Sequence, residues 1–249
     1  MLREWRERRR LSQLDLSSMA SVSTRHLSYV ETGRSVPSRE LILHLADHLD
    51  VPHRQRNDLL LAAGYAPAYL DVELGDPMMS DVRQALDALL ANSCPHPTLV
   101  MDRHWNLVDA NEPALAWTAH LGPAVLTDPI NVMRATLHPD GLAPRIENLH
   151  EVSRHLLDRV RRQLARHPDR ELADLLAELE SVRRDDADRT GSVVGTLGGT
   201  PPGSDAPALP IVIDLGDGPT RYLSVVSTFG SALDVTAAEL TIETFYELT

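Results

Sequence analysis

A single cysteine, Cys94, is all the thiol this chain of 249 residues contains. Neither an intrachain disulfide nor a zinc site built on paired cysteines is open to it, and a reducing compartment is the natural one. Lysine is missing altogether, since all 24 basic residues are arginine. The one glycine-rich stretch, GTLGGTPPG, therefore lacks the lysine of a phosphate-cradling loop, and no helix pattern follows it. No apolar run approaches the roughly 18 residues of a membrane span, and the opening LREWRERRR has no apolar signal core. These absences predict a soluble, cytoplasmic protein with no membrane partner. His120, His138, His150 and His155 are scattered, with no nucleophile at a matching turn, so no enzyme is expected. His44 and His48 have the i, i+4 spacing of metal ligands, but no acid-plus-histidine set of the zinc-protease kind accompanies them, and no metal is expected.

What is present begins with charge. The net charge of −12 argues against nucleic acid until its distribution is read. Ten arginines and eight acids leave +2 over residues 1–66, so the remainder carries −14. A mildly basic head on an acidic body suits a DNA-binding module joined to a domain that does not touch DNA.

The stretch LSQLDLSSMASVSTRHLSYVETG, residues 11–33, holds two helix starts eleven residues apart. Ser12 is a good N-cap, Asp15 sits at N3, and Leu11 can staple onto Leu16. Ser23 repeats the device with Val22 and Leu27, and Gly33 ends the second helix. Leu27 and Val30 can face the first helix, which leaves Thr24, Arg25, Ser28 and Tyr29 on the outer side. A guanidinium, hydroxyls and an aromatic at the start of a capped helix suit the DNA major groove. Residues 2–64 resemble the helix-turn-helix domain of the XRE family, the lambda-repressor and Cro-like regulators. The resemblance implies phosphate contacts from Gln13 and Arg34 and base contacts from Thr24, Arg25 and Ser28. With Ser23 and Tyr29 these form the expected DNA-binding set. Two departures from the family are Ser17, where a small alanine is usual, and Ser21, where a glycine is usual. A left-handed backbone at Ser21 would cost on the order of 1 kcal/mol relative to glycine. In the first helix Arg6, Arg8 and Arg10 can run along phosphates while Arg9 faces inward.

A helical stripe follows Ser38 (Leu41, Ile42, Leu45, Ala46, Leu49), and Pro52 opens a fifth helix closed by Gly64 and Pro67. The words PHRQRNDLLLAAGYAPAY resemble the junction of MmyB-like regulators, in which an XRE domain precedes a PAS-like ligand-binding domain. Downstream, Ser80 can cap another helix. Residues 98–101 and 105–109 read as a hairpin, Asn111 as the cap of a short helix, and 131–137, 144–166 and 170–184 as helices. Residues 183–208 read as turns and loop with a short strand at 192–197. Residues 209–215 and 221–229 form a second hairpin, and Thr236 with Glu239 makes a capping box for a last helix carrying Leu240, Ile242 and Phe245. The segment SVVSTFGSALDVTAAELTIETF strengthens the MmyB-like resemblance.

The fold expected is α+β. An all-α five-helix helix-turn-helix DNA-binding head (1–68) and a connector (69–79) precede a PAS-like domain with inserted helices (80–249), assigned ligand binding and dimerisation. In such a fold Trp105, Val108, Trp117, Met133, Leu137, Leu156, Val160, Val225 and Phe229 would converge between sheet and helices, and the resemblance implies a fatty-acyl-like ligand. The partners expected are double-stranded DNA with a palindromic operator, a small apolar ligand and a second copy of the chain, with no cofactor. Two rivals stand beside this reading. One is a haem or redox sensor or enzyme, prompted by Cys94-Pro95-His96, which resembles the cysteine-proline motif of some haem sensors. The other is a protein-binding adaptor with a vestigial helix-turn-helix.

Overall fold

The computed structural model describes residues 1–190, 208–230, 232 and 234–248. It divides into two compact units, Met1–Ser80 with Phe229–Ala238, and Asp81–Thr228 with Glu239–Thr249. Among the described residues no helix is long and apolar enough to cross a membrane.

The first unit opens with five helices: α1 (Leu2–Arg8), α2 (Gln13–Met19), α3 (Thr24–Glu31), α4 (Arg39–His48) and α5 (His53–Ala62). Helices of this length are marginal alone in water, so caps and a shared core must hold them. At α2 the capping box is complete: Ser12 Oγ accepts from the Asp15 amide at 3.1 Å, and Asp15 accepts from the Ser12 amide at 2.8 Å. Ser23 and Ser38 cap α3 and α4 by accepting from the amides of His26 and Leu41. Ser21 takes the left-handed conformation expected of it, at φ 52°, and Gly33 does so at φ 72°. Leu16, Leu27, Leu45, Leu49 and Leu60 are fully buried in one core with Trp5. Each contributes roughly 1.5–3 kcal/mol by leaving water.

The connector expected over 69–79 is fastened to this unit. Asn57 on α5 accepts from the amides of Ala68 and Tyr69 and donates to the Tyr69 carbonyl at 2.8 Å. A strap from the far end of the chain completes the unit. The Val235 amide donates to the Leu70 carbonyl at 2.7 Å, the Thr236 hydroxyl donates to Asp71, and Val235 and Ala237 are buried. The strap's short helix α11 (Val235–Glu239) is capped by Asp234, which accepts from the Ala237 amide at 3.1 Å. The expected Thr236–Glu239 box is thus replaced by a cap two residues earlier.

The second unit is built on one antiparallel sheet, with β1 (Thr98–Met101), β2 (Leu107–Ala110), β3 (Ile211–Asp214), β4 (Pro219–Ser227) and β5 (Thr241–Glu247) in the order β2-β1-β5-β4-β3. Its helices are α6 (Ser80–Asn92), α7 (Glu112–Leu115), α8 (Val132–Leu137), α9 (Leu149–Arg166) and α10 (Arg170–Thr190). Several expectations are corrected here. Ile242 and Phe245 lie on the central strand β5, and Leu240 just before it, rather than on a helix. The helix expected from Pro144 starts at Leu149, because residues 143–145 form a single 3₁₀ turn and Ile146 makes a bridge to Ile213. Trp105 is no strand residue but stands at φ 68° in the turn before β2. Helix α10 continues through Thr190, past the expected end at Arg184, and the expected strand at 192–197 lies outside the described residues.

Candidate DNA interface and ligand cavity

Helix α3 presents its outer face through the register of its two buried anchors. Leu27 is buried and the Glu31 side chain follows it one turn on along the same face, so Arg25 and Tyr29 fall on the opposite side, Ser28 at the flank, and Thr24 beside the anchored face, next to Ser17. Ser23, Thr24 and Arg25 are exposed, and Ser28 and Tyr29 are half-buried. Arg25 donates from Nε to the Tyr29 hydroxyl at 3.0 Å, with its guanidinium 5.4 Å from that ring's centre. This fixes a long side chain while committing one of its five donors, so the terminal nitrogens keep the fork that matches guanine O6 and N7. Thr32 continues the stripe one turn beyond Ser28 and is exposed. Sequence reasoning missed it, although the 24, 28, 32 spacing pointed to it.

Ser17 explains how this chain uses the larger residue where its resembled family has alanine. Its hydroxyl is buried, donates to the Leu14 carbonyl at 2.9 Å and lies 2.7 Å from Thr24 Oγ1. With the Ser17 proton committed, Thr24 must be the donor in that pair. Thr24 then offers a base only lone pairs and its methyl group.

Beneath the helices lies an ion pair. Arg6 donates to both Glu31 oxygens at 2.7 and 2.9 Å and to the Leu11 carbonyl, and Gln13 Nε2 donates to Glu31 at 2.8 Å. The Glu31 side chain is 1% exposed. Burial pushes its carboxyl up, but the Arg6 and Gln13 donors outweigh burial and hold it below its ordinary range. Arg6 is therefore an internal strut and not a phosphate contact, whereas Arg34 is exposed after α3. Gln13 keeps one amide hydrogen beyond its bond to Glu31. His44 donates a ring proton to the Ala20 carbonyl at 2.8 Å, a structural use that supersedes the metal spacing.

In the second unit an apolar cavity of about 80 Å³ lies between one face of the sheet and the segments that cross it. Leu99, Leu107, Ile211, Ile213 and Phe245 supply the sheet side, and Trp117, Leu142 and Ile146 are among the residues opposite. The Trp117 ring packs 5.1 Å from Phe245 and 5.6 Å from Tyr222, centre to centre. Among the described residues, the polar side-chain atoms in the lining are the hydroxyls of Thr118 and Thr136 and the indole nitrogen of Trp117.

Residues 1–59 match the helix-turn-helix domain family, and residues 82–195 match the MmyB-like transcription regulator ligand binding domain. The chain pairs a helix-turn-helix domain with an MmyB-like ligand-binding domain. No curated protein matches it. These two domains make it a ligand-regulated transcription regulator.

The residues expected to converge on one pocket separate into four groups. Trp117 lines the cavity. Trp105, Met133, Leu137 and Val160 are buried in the adjoining core with Leu157, Leu172 and Leu179, and Leu156 packs half-buried against it. Trp105 is further held by Gln163, which accepts from its indole at 3.0 Å, and by the Arg159 guanidinium over its ring. Val108 and Val225 are corrections, at 36% and 48% exposed. Ser224 pairs with Phe245 and Val225 with Thr244, so Val225 faces away from the cavity wall that Phe245 forms. Phe229 belongs to the other compact unit. Cys94 is exposed and outside the cavity lining, which removes the geometric support for a haem held there by its thiolate.

Proposed function

We propose that the chain is a sequence-specific regulator that binds a palindromic operator as a homodimer and is switched by a small apolar ligand of the fatty-acyl type in its PAS-like domain. The observation that carries the DNA side is the outer face of α3, where Tyr29 holds Arg25 at the start of a capped helix. The antiparallel order β2-β1-β5-β4-β3 supports the PAS-like reading, and the apolar wall supports the ligand class. At about 80 Å³ the cavity is smaller than the 300–1,000 Å³ typical of whole ligands, which suits the end of an acyl chain. Dimerisation is proposed because one small head buries too little surface for high specificity.

The ligand shifts DNA affinity only by preferring one arrangement of the protein, with coupling of typically 1–3 kcal/mol. Selection of duplexes from a random pool by the full chain at fixed moderate salt, with and without a medium-chain acyl compound, tests both halves. An enriched inverted repeat whose recovery changes with the compound is expected. No enriched sequence would overturn the DNA reading, and an unchanged recovery would overturn the switch.

A further inference from the structure

Where α2 meets α3, two hydroxyls form a chain that ends on exposed surface. Ser17 Oγ donates to the Leu14 carbonyl at 2.9 Å and lies 2.7 Å from Thr24 Oγ1. Ser17 is 4% exposed, whereas Thr24, the first residue of α3, is exposed. A hydroxyl has one proton and two lone pairs, so the order that uses both protons inside the protein runs from Thr24 to Ser17 to Leu14. Reversing it to free the Thr24 proton gives up the bond to Leu14, a loss of one neutral hydrogen bond. Thr24 thus faces outward as an acceptor with a methyl group beside it. In the major groove an acceptor is met by the amino groups of adenine N6 and cytosine N4, and opposed by guanine, whose N7 and O6 both accept. Thymine sets its accepting O4 against a methyl that Thr24 can touch, so guanine is the base such a group excludes most strongly.

Resting on the reading that the outer face of α3 meets base edges, we propose that Ser17 is a positioning residue for sequence recognition. It is too buried to touch a base itself. By holding the Thr24 proton it makes Thr24 select a base that carries an amino group, adenine or cytosine, against guanine. Alanine at this position leaves Thr24 its proton and removes that selection.

Four proteins test this: the full chain, Ser17→Ala, Thr24→Val and both together, each titrated at one salt concentration against the operator selected from the random pool and its single-base variants. The base pair facing Thr24 is the one whose preference changes in Thr24→Val, which keeps the shape of the side chain and removes its hydroxyl. At that pair the unaltered chain should bind adenine or cytosine about fivefold more tightly than guanine, the worth of one neutral hydrogen bond. Ser17→Ala should erase most of that ratio and leave preference at every other pair unchanged, whereas a merely structural serine would change the affinity of all sequences alike. The double variant should show the preferences of Thr24→Val alone, because without the Thr24 hydroxyl Ser17 has nothing left to set. The discrimination against guanine by the unaltered chain and its loss in Thr24→Val need no change in the core, so they hold as criteria even where Ser17→Ala does not fold. Guanine bound as well as adenine and cytosine at that pair, an unchanged ratio in a folded Ser17→Ala, or no response of any pair to Thr24→Val overturns the inference. In each of these cases a response of one base pair to Arg25→Ala leaves the DNA reading of α3 standing, and its absence removes that reading too.

Discussion

At the scale of single residues, the head divides its arginines into those that hold the fold and those that face outward. Arg6 is consumed by Glu31 and the Leu11 carbonyl, and Arg9 by the carbonyls of Leu49 and Asp50. Arg25 and Arg34 remain exposed. Arg25→Ala is expected to cost roughly 1–3 kcal/mol on the selected site and to relax preference at one base pair, while Arg34→Ala weakens all sequences alike. Titrations against a panel of single-base variants at one salt concentration read both effects; unchanged affinity in both variants would move the interface elsewhere. Glu31 gives a pH dependence with a definite sign. Its folded carboxyl titrates below its unfolded value, so its stabilisation is present above the ordinary glutamate range and is lost as pH falls through the lowered value. Chemical denaturation should show the acid loss of head stability becoming shallower in Glu31→Gln. An identical slope would mean that other carboxylates dominate.

At the scale of elements, the sheet decides which changes reach the cavity. Trp117→Glu should abolish uptake of an apolar probe, because the carboxylate would be placed in the wall, whereas Val225→Glu should leave uptake intact on the other face of β4. Native mass spectrometry with 1-octanol reads the difference; loss in both variants would make the face assignment wrong. The same strands explain what could be read in advance. Helix starts were legible because a cap is a local device, and Ser12, Ser23 and Ser38 each bond within three residues. The cavity faces were not. Leu107-Val108 and Val225-Val226 are adjacent apolar pairs, so alternation cannot say which member turns inward. Strand β5 lies between β1 and β4, with Ile242 to Phe245 buried in succession, and a strand covered on both faces loses the period of two. Only pairing partners distant in sequence, such as Thr98 with Thr244, distinguish it from a short apolar helix.

At the scale of the whole molecule, the head is not a contiguous piece of chain. A fragment ending at Ser80 lacks Phe229–Ala238, and with it the bonds to Leu70 and Asp71 and the buried Val235. Such a fragment is expected to lose on the order of 2 kcal/mol relative to the head within the full chain, from one buried aliphatic side chain and its hydrogen bonds. Calorimetry of the two proteins checks this; a fragment that melts with the head of the full chain would show the strap to be dispensable. The strap also sets an order of events during synthesis. Val72 and the Asp234 that accepts from its amide are 162 residues apart, so the strap leaves the ribosome long after the helices it completes. At about 5–20 residues per second this is a delay of roughly 8–30 s. Through that interval the five helices can pack, with Asp71 held by Arg54, but the Leu70 carbonyl and the Val72 amide wait for Val235 and Asp234, so the DNA-binding unit is finished only when the ligand-binding sheet has nearly all emerged.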